Sequence, residues 1–219
     1  LATRRTLRPL AANGGAIEIG ADVVADMYPG SGRVSISVGA DAAFDAPGLV
    51  ERLAIYPFGC TEQVVSSAFP LLVLDRIAPG WAPREGTSDD ALRRAIERVL
   101  ARQGSNGSFG LWSVGGDDLW LDAYVTDFLT RARDRGVAVP RVALDMALDR
   151  LRNKLAENRE IEDGQGQGEA YALYVLAKAG RPVIGDLRYL ADVKLGSLGS
   201  PLARGHLGAG RAAMGDRSR

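Results

Sequence analysis

At residues 56–63 the chain reads Tyr56-Pro57-Phe58-Gly59-Cys60-Thr61-Glu62-Gln63, and this stretch marks the start of the helical part of the fold. A proline and a glycine interrupt regular structure here, and an apolar helical pattern begins directly afterwards, at Val64. We therefore expect Cys60 at or beside the N-cap of a helix. Gln63 follows three residues on, which is the spacing of a capping box.

Downstream of this stretch, apolar residues recur with helical periodicity, and glycines and prolines separate the apolar stripes. This pattern predicts about seven helices between residues 60 and 216, so the fold class is mainly α. Helices in series with one apolar face each must pack as neighbours, and a bundle, a solenoid or an α/α toroid would each satisfy the pattern. The stripes are Leu92, Ala95, Ile96 and Val99; Leu121, Val125, Phe128 and Leu129; Leu144, Leu148, Leu151 and Leu155; and Ala170, Leu173, Tyr174 and Ala177.

Upstream of the stretch, the sequence alternates with period two over residues 16–19 and 33–38, which is typical of half-buried strands. Such a β segment is too short to bury a core by itself. We therefore predict two parts: a short β segment at residues 1–48, and a helical domain at residues 49–219.

Composition excludes several classes of protein. The chain has 219 residues and a formal net charge of zero, without the basic excess that nucleic-acid partners usually require. No apolar run approaches the ~20 residues of a membrane span. One cysteine cannot form an internal disulfide, and one cysteine with one histidine does not supply a zinc site, so we expect no metal or cofactor. The chain begins at Leu1 without a signal segment, which fits either an internal piece of a longer protein or a cytoplasmic protein.

The spacing of Cys60 and Gln63 carries a chemical possibility. Side chains three apart on a helix are neighbours, with Cβ atoms about 5–6 Å apart, so the thiol could attack the carboxamide carbon and expel ammonia to give a thioester. The free N–H groups of the helix start would stabilise negative charge on the carbonyl oxygen. Glu62 either orders this turn by hydrogen bonding or is a first-turn acid favoured by the helix dipole. A buried cysteine beside a capping glutamine has the same spacing, so the spacing alone leaves both interpretations open.

The whole segment resembles a known family. Together with Ser66-Ser67-Ala68-Phe69-Pro70-Leu71-Leu72, residues 56–63 resemble the thioester segment of bacterial alpha-2-macroglobulins, whose core is Cys-x-Glu-Gln. Animal relatives, including complement components, carry Cys-Gly-Glu-Gln; the variable position here is Thr61. Two further blocks resemble the same family in the expected order: Gln103-Gly104-Ser105-Asn106-Gly107-Ser108-Phe109-Gly110-Leu111-Trp112 and Trp120-Leu121-Asp122-Ala123-Tyr124-Val125-Thr126-Asp127-Phe128-Leu129.

The resemblance implies an incomplete α/α toroid at residues 49–219, the thioester-containing domain. It also implies that residues 1–48 belong to an adjoining β-sandwich-type domain of macroglobulin or CUB-like kind. The implied function is that of a broad-spectrum endopeptidase inhibitor rather than an enzyme, a single-use covalent trap for attacking proteases with a role in host defence. Gln63 would be the electrophile attacked by protease lysine amines, Cys60 the leaving group and Glu62 a supporting residue. The implied partners are target proteases and the remaining macroglobulin domains, and the implied location is the periplasm, with a lipid anchor to the inner membrane in the full-length protein.

Other residues receive predictions of lower rank. Some animal relatives carry a downstream histidine that favours hydroxyl nucleophiles, but residues 161–169 contain none, which implies a preference for amines. We interpret His206, which lies too far along to be equated with that histidine, as a helix-surface residue. Trp112, Trp120 and Tyr124 are expected in the core of the toroid, and aromatic residues near the site are expected to exclude water.

Three other functions remain open at this point. A cysteine-dependent enzyme would use Cys60 as nucleophile and His206 as base, although the Cys60–Gln63 spacing has no role in it. A toroid enzyme such as a terpene cyclase would need acidic clusters, and Asp117-Asp118 alone is thin support. A surface adhesin would use the same thioester chemistry against a different partner.

Overall fold

The computed structural model describes residues 6, 14–16, 18–30, 34, 36, 38, 48–50, 53, 59–77, 86–157, 161 and 165–216. Short 3-10 turns lie at Ala21–Val24, Phe69–Leu72 and Leu195–Ser197. Residues 48–50 and 53 are helical, and the α-helices from residue 61 onward are α1 (Thr61–Ala68), α2 (Leu74–Ile77), α3 (Ser88–Leu100), α4 (Leu119–Asp134), α5 (Arg141–Glu157), α6 (Gln167–Lys178), α7 (Ile184–Val193) and α8 (Pro201–Ala213).

Local sequence explains where the helices begin. At the start of α3, the hydroxyl of Thr87 accepts the N–H of Asp90 at 3.1 Å, and the Asp90 carboxylate accepts the N–H of Thr87 at 3.0 Å. Asp118 caps α4 by accepting the N–H of Leu121 at 3.1 Å. Each cap satisfies a backbone donor that a helix start leaves without an intrahelical partner.

Helix α4 lies at the centre of the helical body, because it packs against α1, α5 and α6 and buries residues around most of its circumference. Helix α6 packs most extensively against α8, and a glycine makes that approach possible. A Cβ atom at Gly210 of α8 would lie 2.9 Å from a Leu187 methyl group and 3.3 Å from the Cα atom of Tyr174. The core that results is one continuous cluster of aliphatic side chains, with Phe109 and Phe128 fully buried in it.

The mainly helical fold class is confirmed, and the four apolar stripes lie on helices α3, α4, α5 and α6. Seven α-helices with eight residues or more occur among the described residues, as the periodicity predicts. No helix in the described part of the chain is long and apolar enough to cross a membrane.

Before residue 49 the structure describes only part of the chain, so the predicted β segment is not tested there. Residues 21–24 form a 3-10 turn, and the described positions within the two predicted strands, at 16, 18, 19, 34, 36 and 38, carry no strand pairing. The other positions of those strands lie outside the described residues. The β segment and the domain boundary near residue 48 therefore stay predictions.

Candidate functional site

The site is built on the first turn of α1. Cys60 is the N-cap residue, with extended backbone angles of φ −62° and ψ 161°, and it is only 5% exposed. Its backbone N–H donates to Oε1 of Gln63 at 3.3 Å, and its thiol sulfur faces the backbone N–H of Gln63 in the reciprocal capping-box contact. The predicted capping box is therefore present, with a thiol and a carboxamide in the two reciprocal positions.

This geometry orients the Gln63 carboxamide. A backbone N–H can only donate, so the atom facing it must be the amide oxygen and not the amide nitrogen. Attack on the Gln63 carbonyl carbon would push negative charge onto that oxygen. The Cys60 N–H and the positive end of the α1 dipole both stabilise charge at this point.

Thr61, between the two, is fully buried and joins α1 to the loop after α3. Its N–H donates to the carbonyl oxygen of Leu111 at 2.9 Å, and its hydroxyl donates to the carbonyl oxygen of Gly110 at 2.5 Å. The same hydroxyl accepts Nη1 of Arg102 at 3.0 Å. Nη2 of Arg102 donates to the carbonyl oxygen of Gly59 at 2.6 Å. The first turn of α1 is therefore held from one side by a single loop and a single guanidinium group.

Hydrogen bonds connect Glu62 to α4 through Ser66. Its carboxylate accepts the hydroxyl of Ser66 at 2.6 Å, one turn along α1, and the Ser66 oxygen lies 3.0 Å from the phenol oxygen of Tyr124. Tyr124 stacks between Phe69, at 5.5 Å between ring centroids, and Trp120, at 5.0 Å. Burial raises the pKa of Tyr124, so the phenol stays protonated at neutral pH. This contact is compatible with the predicted ordering role of Glu62, and the position of Glu62 in the first turn of α1 is compatible with the helix-dipole role, so both roles stay predictions.

The loop that holds Thr61 is itself anchored by a buried ion pair. Asp122 of α4, 1% exposed, accepts the backbone N–H of Phe109 at 2.7 Å and Nε of Arg150 at 3.1 Å. Arg150 also donates to Asp117 at 2.7 Å, and Lys154 contacts the same carboxylate at 2.7 Å. Because both charges of the inner pair are compensated, the loop has a fixed attachment to α4 and α5.

Two predictions about aromatic and histidine residues are corrected. Trp112 is not in the core: it is 62% exposed, within an exposed stretch of the loop at residues 111–114. Trp120 and Tyr124 do pack against the core, as predicted. His206 is not a plain surface residue. Its ring stacks on Tyr171 at 4.3 Å and on Tyr174 at 5.6 Å, and its Nδ1 atom is buried with no hydrogen-bond partner among the described residues.

Sequence reasoning missed Arg102 and the Asp122–Arg150 pair. Both make contacts between residues far apart in the chain, which periodicity does not reveal. The resemblance to the second and third blocks pointed to the right segments, but not to these contacts. Tyr56 and Phe58, which were expected to help exclude water, lie outside the described residues.

Comparison with known proteins shows which proteins the chain resembles in sequence. No model of a known protein family matches it. Alpha-2-macroglobulin of Escherichia coli (strain K12) is 33% identical over 186 residues, which cover 78% of this chain and 11% of that protein. The alpha-2-macroglobulin of Xylella fastidiosa (strain Temecula1) is 31% identical over 205 residues, covering 88% of this chain and 12% of that protein. Thioester-containing protein 1 (allele S3) of Anopheles gambiae is 25% identical over 142 residues, covering 58% of this chain and 11% of that protein.

Solved structures agree with the curated relatives. Salmonella alpha-2-macroglobulin reacted with methylamine superposes with a TM-score of 0.66 and 31% identity, over 78% of this chain and 12% of that one. Trypsin-activated alpha-2-macroglobulin of Escherichia coli superposes with a TM-score of 0.63 and 30% identity, over 74% of this chain and 12% of that one. The chain spans only 11% to 12% of the length of these three curated relatives. On this combined likeness of sequence and fold, the chain belongs to the bacterial alpha-2-macroglobulin family.

Proposed function

We propose that this chain carries the reactive thioester of a bacterial protease trap, formed between Cys60 and Gln63. The observation that carries the proposal is the capping box, in which the N–H of a buried Cys60 holds Oε1 of Gln63 at 3.3 Å. The relatives add weight, since one is named for its thioester and solved ones were reacted with methylamine or activated by trypsin. In this proposal residues 49–219 are part of an α/α toroid, and residues 1–48 belong to an adjoining β domain.

The bond forms and breaks with a simple balance. Sγ of Cys60 attacks Cδ of Gln63, the C–N bond breaks, and ammonia leaves with the thiol proton. In the trapping step a lysine amine of the protease attacks the same carbon. The C–S bond then breaks, an amide joins the two proteins, and the amine proton ends on the Cys60 thiolate. Each molecule reacts once, so the protein is a covalent endopeptidase inhibitor and not an enzyme.

Burial of Cys60 suits this chemistry, because a thioester survives only where water is scarce. The remaining macroglobulin domains of the full-length protein would complete the cover until a protease cuts elsewhere in that protein. The setting we propose is the periplasm, with a lipid anchor to the inner membrane in the full-length protein, where such a trap would meet attacking proteases.

The nucleophile preference follows from the same proposal. Residues 161–169 contain no histidine that could activate a hydroxyl, and His206 is stacked on tyrosines of α6. We therefore expect the amine of methylamine to outcompete the hydroxyls of glycerol at equal concentration. Mass analysis of the Gln63 adduct would measure the ratio, and a dominant ester product would contradict the preference.

The test is the intact mass of the freshly purified full-length protein, with iodoacetamide labelling before and after methylamine. The expected protein is one ammonia lighter than its sequence and is labelled at Cys60 only after methylamine has added to Gln63. Because Cys60 is buried, resistance to iodoacetamide alone would prove nothing, so the mass decides. A mass equal to that of the sequence, in material prepared quickly and cold, would overturn the proposal.

Trapping itself needs a second assay. The full-length protein is mixed with trypsin, and adducts that survive boiling in detergent are counted. Adducts that contain Gln63 joined to a trypsin lysine are expected. If the lighter mass is present but no such adduct forms with any protease, the chemistry would stand and the adhesin alternative would replace the trap.

A further inference from the structure

Arg102 lies between the reactive turn and the loop that supports it. Its side chain reaches both neighbours of Cys60 in the sequence: Nη2 donates to the Gly59 carbonyl oxygen at 2.6 Å, and Nη1 donates to the Thr61 hydroxyl at 3.0 Å. Its backbone carbonyl oxygen accepts the N–H groups of Gly110 and Gly115, at 3.2 Å and 3.1 Å. One residue therefore binds the turn through its side chain and the loop through its main chain.

We infer that Arg102 is a positioning residue for the thioester, which sets the backbone angles of Cys60 and so the approach of its thiol to Gln63. This inference rests on the proposed function. Residues on both sides of Cys60 are held by one planar group, so rotation about the Cys60 backbone would break a hydrogen bond on one side or the other. Arg102 touches neither reacting atom in these contacts and acts through Gly59 and Thr61.

The planar fork of the guanidinium group is essential to this role. Two separate nitrogens donate in fixed directions to acceptors on either side of Cys60, whereas a lysine ammonium is a point charge on a flexible stem. Ring closure between two side chains depends steeply on their geometry, and a displacement of about 1 Å can cost about 100-fold in rate. A lysine at this position keeps the positive charge but loses the planar fork. Arg102→Lys therefore separates the contribution of charge to thioester closure from that of hydrogen-bond geometry.

The experiment follows thioester closure in newly synthesised full-length protein. Protein made in a short pulse is sampled over time, and the fraction lighter by one ammonia is measured by mass. We expect Arg102→Lys to slow the appearance of that fraction about 10- to 100-fold, with the midpoint of thermal unfolding close to that of the parent protein. Arg93→Lys is the matched control: Arg93 lies on helix α3, nine residues before Arg102, and pairs with exposed Asp90, so this variant should close at the parent rate.

A second pair of variants covers the case in which Arg102→Lys does not fold. Thr61→Val removes the hydroxyl that Arg102 binds, whereas Thr61→Ser keeps it. Slow closure in the valine variant and near-normal closure in the serine variant support positioning by the hydrogen bonds of this hydroxyl, which Arg102 shares with the Gly110 carbonyl oxygen, because loss of packing alone would not be rescued by the hydroxyl. Equal closure in these two variants, or in Arg102→Lys and the parent, overturns the inference and leaves the proposed function intact. A parent protein that never becomes lighter overturns both.

Discussion

The backbone N–H of Cys60 donates a hydrogen bond to Oε1 of Gln63 across 3.3 Å, so the N-cap residue and the third residue of α1 hold each other. In most capping boxes this arrangement only caps the N-terminus of a helix. Here the two side chains are a thiol and a carboxamide, and the hydrogen bond falls on the oxygen that gains negative charge during attack. A structural motif and a chemical one share the same four residues.

Gln63→Glu separates these two roles. A carboxylate oxygen can accept the same N–H, and an acid in the first turn gains about 0.3–1 kcal/mol from the helix dipole, so the free energy of unfolding should be unchanged or slightly higher. A carboxylate has no ammonia to lose and is not attacked by the thiol. Intact mass should therefore equal that of the sequence, with Cys60 present as a free thiol. A lighter species in this variant would contradict the assignment of Gln63 as the electrophile.

Gly110→Ala should damage the loop that holds Thr61. A Cβ atom at Gly110 would collide with the backbone carbonyl oxygens of Ser113 and Gly115, which cannot move as a side chain can. We expect a loss of about 1–3 kcal/mol in unfolding free energy, as for other overpacked sites. The Gly110 carbonyl should also shift away from the Thr61 hydroxyl, so the lifetime of the thioester should shorten.

The matched control for that loop variant is Gly208→Ala in α8. A Cβ atom there would meet nothing within 4 Å, and alanine is favoured over glycine inside a helix by about 0.5–1 kcal/mol. Chemical denaturation should show a lower unfolding free energy than the parent for Gly110→Ala and a higher one for Gly208→Ala. Equal stability of the two would mean that the loop adjusts freely and does not constrain Thr61.

Asp122→Asn tests the buried anchor beneath the same loop. The amide can still accept the N–H of Phe109, but Arg150 loses its inner carboxylate and keeps only Asp117. We expect a loss of about 2–4 kcal/mol, since a buried charge is left partly uncompensated. Asp149→Asn, which removes an exposed partner of Arg152, should cost no more than about 0.5 kcal/mol. Similar losses of unfolding free energy in the two variants, measured by urea unfolding, would show that the buried Asp122–Arg150 pair stabilises the fold no more than an exposed ion pair does.

His206 gives the protein a predicted pH dependence. Burial against Tyr171 and Tyr174 lowers the pKa of His206 from its ordinary value of 6.5, and the charge of Asp127 opposes this shift only in part. The unfolded chain therefore binds more protons than the folded chain just below pH 6.5. The resulting stability is complete above that pH and is lost as the pH falls below it.

The measurement compares the parent protein with His206→Phe, which keeps a planar ring on the tyrosines and cannot titrate. Between pH 7.5 and pH 5.5 the unfolding free energy of the parent should fall more steeply than that of the variant. Parallel profiles would mean that His206 has the same pKa in the folded and unfolded states.

The start of α1, the capping box, the helical class and the family were predictable because each depends on residues close together in the sequence. Residues three and four apart on a helix are neighbours by geometry alone, so the Cys60–Gln63 relationship follows once a helix begins at residue 61. The same local rules placed the apolar stripes of α3, α4, α5 and α6 on buried faces.

The other features depend on which helices pack together, and only the tertiary structure decided them. Arg102 meets Thr61 and Gly59 across 41 and 43 residues of chain, and His206 meets Tyr171 because α8 packs on α6. Trp112 is exposed although a large apolar side chain suits a core, because residues 111–114 form an exposed part of the loop. Local sequence therefore determined where the proposed thioester could form, and the packing of distant segments determined which residues hold that turn in place.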